Sequence, residues 1–261
     1  MHYSLLYKSN VSKSLILFFS LILLVSCSQE KEIFETESIA DYMPFQVGKS
    51  ITYRLDSTVF VLSGTVEEIH KYQVKHTVLQ ETDNNNGSKT FVVQRLINNE
   101  TATGPWLNNG TYQVVLFDNK AEVINDNLRV LALQAPLKQG FSWKGNSQLP
   151  SAPYAQLYDM AAGREMNEWD FTYTTSGNEN IEGQEYQNVW TVEHHDETLN
   201  IPPTPNTSYG SKEVSSERYA KGIGLVYKDF QLYEYQGGNQ ESGYKPYYTG
   251  FGITMWMIAH D

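Results

Sequence analysis

Of the 261 residues, 30 are acidic and 19 basic, a formal net charge of −11 with the histidines neutral. Such a surface repels phosphate backbones and anionic headgroups, and no basic cluster offsets it, so nucleic-acid binding and electrostatic docking on lipid are excluded. The 18 Tyr, 11 Phe and 5 Trp suit the half-buried pleated surface of a β-sheet, and a single Cys leaves no disulfide and no thiolate metal site.

The chain opens with Lys8 and Lys13 ahead of an apolar run from Leu15 to Val25, and no acidic residue precedes Glu30. That is the order of a secretory signal; about 20 apolar residues are needed to span a bilayer, and this run is shorter. Leu24, Val25, Ser26 and Cys27 then resemble the lipobox of bacterial lipoproteins. The resemblance implies a diacylglyceryl group on the Cys27 thiol, cleavage just before it and acylation of the new amino terminus, with palmitate-type chains fixing the protein to a membrane. The alternative is a structural Cys within an ordinary signal peptide. On the first reading residues 1–26 are a lipoprotein signal peptide, 27–41 an acidic tether and 42–261 a β-rich domain. Ser28 resembles the outer-membrane sorting signal of Gram-negative lipoproteins, and the charges after it resemble surface-export signals. The expected place is the outer membrane, lipid-anchored, with the periplasmic and cell-surface faces both open.

Ile51, Tyr53 and Leu55 alternate with Thr52 and Arg54, the period of a half-buried strand. Similar runs follow at 59–62, 72–79, 90–97, 111–117, 120–124 and 128–133, and Asp83-Asn84-Asn85-Asn86-Gly87-Ser88 has hairpin-loop chemistry. This pattern predicts an antiparallel meander. Pro136-Leu137-Lys138-Gln139-Gly140-Phe141-Ser142 echoes the spacing of Pro44 to Ser50; it marks either two related halves of one sheet or the same turn chemistry used twice. Pro150 to Arg164, with Tyr154, Leu157, Tyr158 and Ala161 at helical spacing, is the one expected helix. Strands resume at 168–175, 187–195, 223–235 and 253–258, and the three prolines within 202–205 make that stretch an irregular loop.

Three segments resemble a group of functionally uncharacterised envelope lipoproteins. They are Met43-Pro44-Phe45-Gln46-Val47-Gly48, then Pro136-Leu137 with Gly140 and Trp143, and, the most specific, Glu217-Arg218-Tyr219-Ala220-Lys221-Gly222-Ile223-Gly224-Leu225-Val226. Met43 stands where Phe is usual in that group, and Ile51 where Trp is common. The resemblance implies a mainly β fold with one antiparallel, strongly curved sheet or open half-barrel, at most one short helix, and an outline like that of carriers holding acyl chains in a concave face. It brings no activity.

The densest set of ligand-type side chains is Glu193-His194-His195-Asp196-Glu197. On a regular strand Glu193, His195 and Glu197 share one face and His194 and Asp196 the other, so one face carries a histidine with two carboxylates, a candidate for a hard divalent ion or zinc. The competing reading is a solvated strand end. Tyr244, Tyr247, Tyr248 and Trp256 belong to an aromatic cluster that could stack on sugars or dock a partner, or simply pack across strands. Gly222 and Gly224 lack the third glycine of a dinucleotide fingerprint, and neither a nucleophile elbow nor a zinc-protease helix motif occurs. No cofactor and no catalytic residue is therefore assigned. The expected role is non-catalytic: membrane attachment through the lipid, and binding of an envelope protein or an apolar ligand. A carbohydrate-binding or carbohydrate-active protein is the alternative.

Overall fold

The computed structural model describes residues 37–160, 164–238 and 243–261; the lipobox and Cys27 lie outside them. Twelve strands form one antiparallel sheet: β1 Ser50–Val61, β2 Val66–Asp83, β3 Lys89–Asn99, β4 Leu107–Leu116, β5 Lys120–Asn125, β6 Leu128–Gln134, β7 Ser142–Trp143, β8 Phe171–Ile181, β9 Gln184–Leu199, β10 Tyr209–Ala220, β11 Gly224–Gln236 and β12 Tyr247–His260. Their order is β6-β5-β4-β3-β2-β1-β12-β11-β10-β9-β8-β7. The chain thus starts mid-sheet, meanders to one edge, crosses to the other and meanders back, so that β12 pairs with β1 (Tyr53 opposite Met257, Leu55 opposite Met255). The alternation in β1 is the cause of its placement: Tyr53 is buried at 2% exposure, and Arg54 turns to the other face beside Trp256.

The sheet curls until its edges nearly meet. The Leu131 amide donates to the Gly145 carbonyl at 2.8 Å, and the Trp143 indole donates to the Leu131 carbonyl, also at 2.8 Å. The Tyr173 hydroxyl donates to the Gln134 carbonyl at 3.0 Å and accepts from its amide at 3.2 Å. The expected mainly β, strongly curved sheet is what forms, carried almost to a closed barrel. The echoed turns precede β1 and β7, the first strands of its two six-stranded halves.

The helix expected over 150–164 does not form. Residues 153–157 form turns and the rest of 150–160 is irregular, its tyrosines reaching inward to the barrel. Tyr154 packs edge-on against Phe230 and Phe251, Tyr158 donates to Glu213 at 2.6 Å, and Leu157 is exposed. The single α-helical turn described, α1, is Ile39–Tyr42, capped by the Ser38 hydroxyl. Ile39 and Tyr42 are each 1% exposed, so the tether boundary expected at 41 falls inside the fold.

Candidate functional site

Two inserts fill part of the barrel: residues 39–45, with Phe45 stacked on Phe91 at 5.4 Å, and the turns carrying Tyr154, Tyr158, Met166 and Trp169. Between them and the sheet lies a cavity of about 480 Å³. Its wall is mostly apolar, with Val74, Val78, Val93, Val114, Val123, Leu225, Ile253 and Met255 among the contributors. These are the inward positions of strands that the alternation pattern identified, and the volume lies inside the range of about 300–1,000 Å³ usual for small-molecule sites.

A few polar groups interrupt this wall. Glu217 on β10 sits directly opposite Lys228 on β11, and the ammonium donates to its carboxylate at 2.8 Å. The Tyr219 hydroxyl donates to the same carboxylate, and the His194 Nε2 lies 3.8 Å away. Burial pushes the Glu217 carboxyl up, but Lys228, His194 and the Tyr219 hydroxyl outweigh it and hold it at about 2. Burial works against the Lys228 ammonium too, and the facing carboxylate keeps it charged. His76 on β2 is pulled down to about 3, first by burial and then by Arg95 and Lys228; it shares a hydrogen bond of 3.2 Å with the Tyr112 hydroxyl. Burial drives Tyr53 and Tyr112 upward. At neutral pH the wall therefore holds the neutral His76 imidazole, neutral phenols, the Glu217–Lys228 pair and Arg95, and Lys49, Asp126 and Asp261 also line it.

Two of the three segments that carry the resemblance converge here. Met43, Pro44, Phe45 and Gln46 line the cavity, as do Glu217, Tyr219, Gly222, Ile223, Gly224 and Leu225. Gly222 and Gly224 adopt φ of 77° and 110° in the β10–β11 turn, a region that side chains disfavour. The Gly222 amide donates to the Asp41 carbonyl at 2.7 Å, and Lys221 reaches Asp41 at 3.4 Å and Glu37 at 3.5 Å. The signature thus ties the first insert to the barrel wall.

The proposed ligand face on β9 is broken. The register between β9 and β10 shifts between Ser215 and Ser216, pairing Ser215 with His195 and Ser216 with Glu193 and leaving His194 as the extra residue of a bulge. Glu193 stays exposed while both histidines pack against rings: His194 lies 3.7 Å from the Phe171 centroid and His195 4.6 Å from that of Trp169, both stacked. The cluster that does form joins His195, Glu197 and Glu213, their ligand atoms within 4.8 Å. The Arg164 guanidinium already bridges its carboxylates, 2.7 Å from Glu197 and 3.2 Å from Glu213, and burial lowers the His195 pKa against the pull of Glu197 and Glu213. Arg164 supplies the positive charge that a metal ion would bring.

The four aromatic residues do not make one platform. Tyr248 stacks on Phe60 at 5.0 Å and meets Tyr233 and Tyr235, whereas Trp256 lies under Arg54, 6.0 Å from ring centroid to guanidinium carbon. Eight residues of strand separate them, roughly 26 Å. Tyr247 is half-buried opposite Gln236, and Tyr244 is 70% exposed.

Sequence reading missed β10. Its Ser211, Glu213, Ser215, Glu217 and Tyr219 alternate like a solvent-facing polar stripe, yet all five are buried. The signal was present as strict period-two alternation, with the faces inverted.

No family model matches the chain, and no curated protein does. Solved structures similar to it include a Bacteroides fragilis protein assigned as exported, with a YmcC-like fold, at 10% identity over 83% of this chain and 96% of that one, TM-score 0.37. Another is a protein assigned as a lipoprotein from Parabacteroides distasonis, at 9% identity over 83% and 96%, TM-score 0.37. A third is LprF from Mycobacterium bovis, at 9% identity over 84% and 89%, TM-score 0.23. None of these likenesses carries a functional argument at such scores.

Proposed function

We propose that this is a lipid-anchored outer-membrane lipoprotein, attached through Cys27 and a short acidic tether, whose barrel binds the apolar part of a ligand without catalysis. The observation that carries the binding role is the apolar cavity of about 480 Å³ in the barrel interior. An apolar cavity of this size gains little from water and favours an apolar guest.

Occlusion tests the binding role. Val93 on β3 is 1% exposed and lines the cavity. Val93→Trp should weaken binding of a neutral apolar fluorescent probe at least tenfold, and Val123→Phe on β5 of the same wall should act alike, with thermal unfolding confirming that each variant folds. Unchanged probe binding in both folded variants refutes the cavity as the site. For the anchor, Cys27→Ser should abolish metabolic palmitate labelling and release the protein from the membrane fraction; retained labelling refutes it.

A further inference from the structure

Two cations of the cavity wall are matched unequally. Lys228 is matched by Glu217 at 2.8 Å, and His76 is uncharged at neutral pH. Arg95 on β3, which pairs with His76 across the sheet, has no such match. Its nearest carboxylate, Asp126, is 4.0 Å away and is itself 74% exposed. The Arg95 Nε is buried and has no hydrogen-bond acceptor. Asn125, just before Asp126, lines the same cavity with its side-chain oxygen likewise buried and unpartnered; its amide can turn to present either end.

The backbone around Arg95 makes room for the guanidinium. A register shift between Gln94 and Leu96 puts Arg95 at a bulge opposite the β4 residues 109–110, and a Cβ on Gly110 would come within 3.1 Å of the Arg95 Nη2. Leaving a buried guanidinium nitrogen unpaired is costly, and its planar fork fits the two oxygens of a carboxylate or phosphate.

Resting on the apolar-ligand reading above, we infer that the guest is a single-chain anionic amphiphile, its tail in the valine-lined cavity and its carboxylate or phosphate-monoester head on Arg95. A single chain is what a space of about 480 Å³ suits, since most of its wall is apolar and a buried guanidinium nitrogen there is without an acceptor.

The test titrates delipidated mature protein at neutral pH with hexadecanoate, hexadecyl phosphate and hexadecanol. Wild-type protein should bind at least one of the two anions tenfold or more tighter than the alcohol, and whichever anion is preferred identifies the head group. Arg95→Gln should keep the alcohol affinity and lose the preference; Arg95→Lys, which keeps the charge without the fork, should retain part of it. Equal binding of alcohol and anions by wild type, or a preference that survives in Arg95→Gln, overturns the inference and leaves the cavity reading standing. Binding of none of the three overturns both.

Discussion

Replacing Lys228 by Met keeps most of the aliphatic stem and removes the charge that Glu217 faces across the β10–β11 ladder. Glu217 is 8% exposed, so its carboxylate would lose its one close cation and keep only the Tyr219 hydroxyl and a neutral His194. Breaking a buried pair from one side costs about 3–5 kcal/mol. The carboxyl itself gives a similar size: held at about 2 against an ordinary 4.5, it reflects roughly 3 kcal/mol of favourable interaction with its surroundings. In the wild type this stabilisation is present above pH 4.5 and lost as pH falls towards 2. In Lys228→Met burial raises the carboxyl instead, so the destabilisation is greatest at neutral pH and is relieved as acid protonates it. Urea unfolding followed by tryptophan fluorescence should therefore show a deficit of about 3 kcal/mol at pH 7 that narrows by pH 4. Adding Glu217→Gln to Lys228→Met should recover much of the loss. A deficit below about 1 kcal/mol at pH 7, an equal deficit at both pH values, or a double variant no better than the single one would refute the account.

His194, 6% exposed, is depressed to about 4, chiefly by burial. The folded state therefore binds fewer protons than the unfolded chain between about pH 6.5 and 4, and stability should drop by about 3 kcal/mol as pH falls through that window. His194→Asn should remove about that much of the drop from the urea-stability profile and leave the part owed to His76 and His195; a profile parallel to that of the wild type would count against it. Tyr173→Phe removes both hydrogen bonds to Gln134 across the seam and leaves two backbone groups without partners, a cost of about 1–3 kcal/mol. Amide exchange at Gln134 should accelerate accordingly, and unaltered protection would show that the seam does not depend on this hydroxyl.

What could be read beforehand was the part with a two-residue period. Ile51, Tyr53 and Leu55 announce both a strand and its buried face, because the pleat sends alternate side chains to opposite sides. Bulges break that logic: the extra residue at His194 moves Glu193 away from His195 and lets Glu213, from a neighbouring strand, take its place. Local spacing also misled at Tyr154 and Tyr158, where a helical interval serves a plug packed into the barrel. Arg95 carried no motif at all. Its significance comes from what β2, β4 and β5 put around it, and those neighbours are set by pairings distant in sequence.

The position of β12 bears on when this protein can hold a ligand. Strands β1–β6 and β7–β11 are each local meanders, and among the strands β12 alone pairs with both, through β1 on one side and β11 on the other. It also contributes Phe251, Ile253 and Met255 to the cavity wall. A nascent chain still lacking these residues has bare edges on β1 and β11 and an incomplete cavity wall. On the proposed export route, the polypeptide threads the membrane empty, and loading belongs to the compartment where the last strand clicks into place.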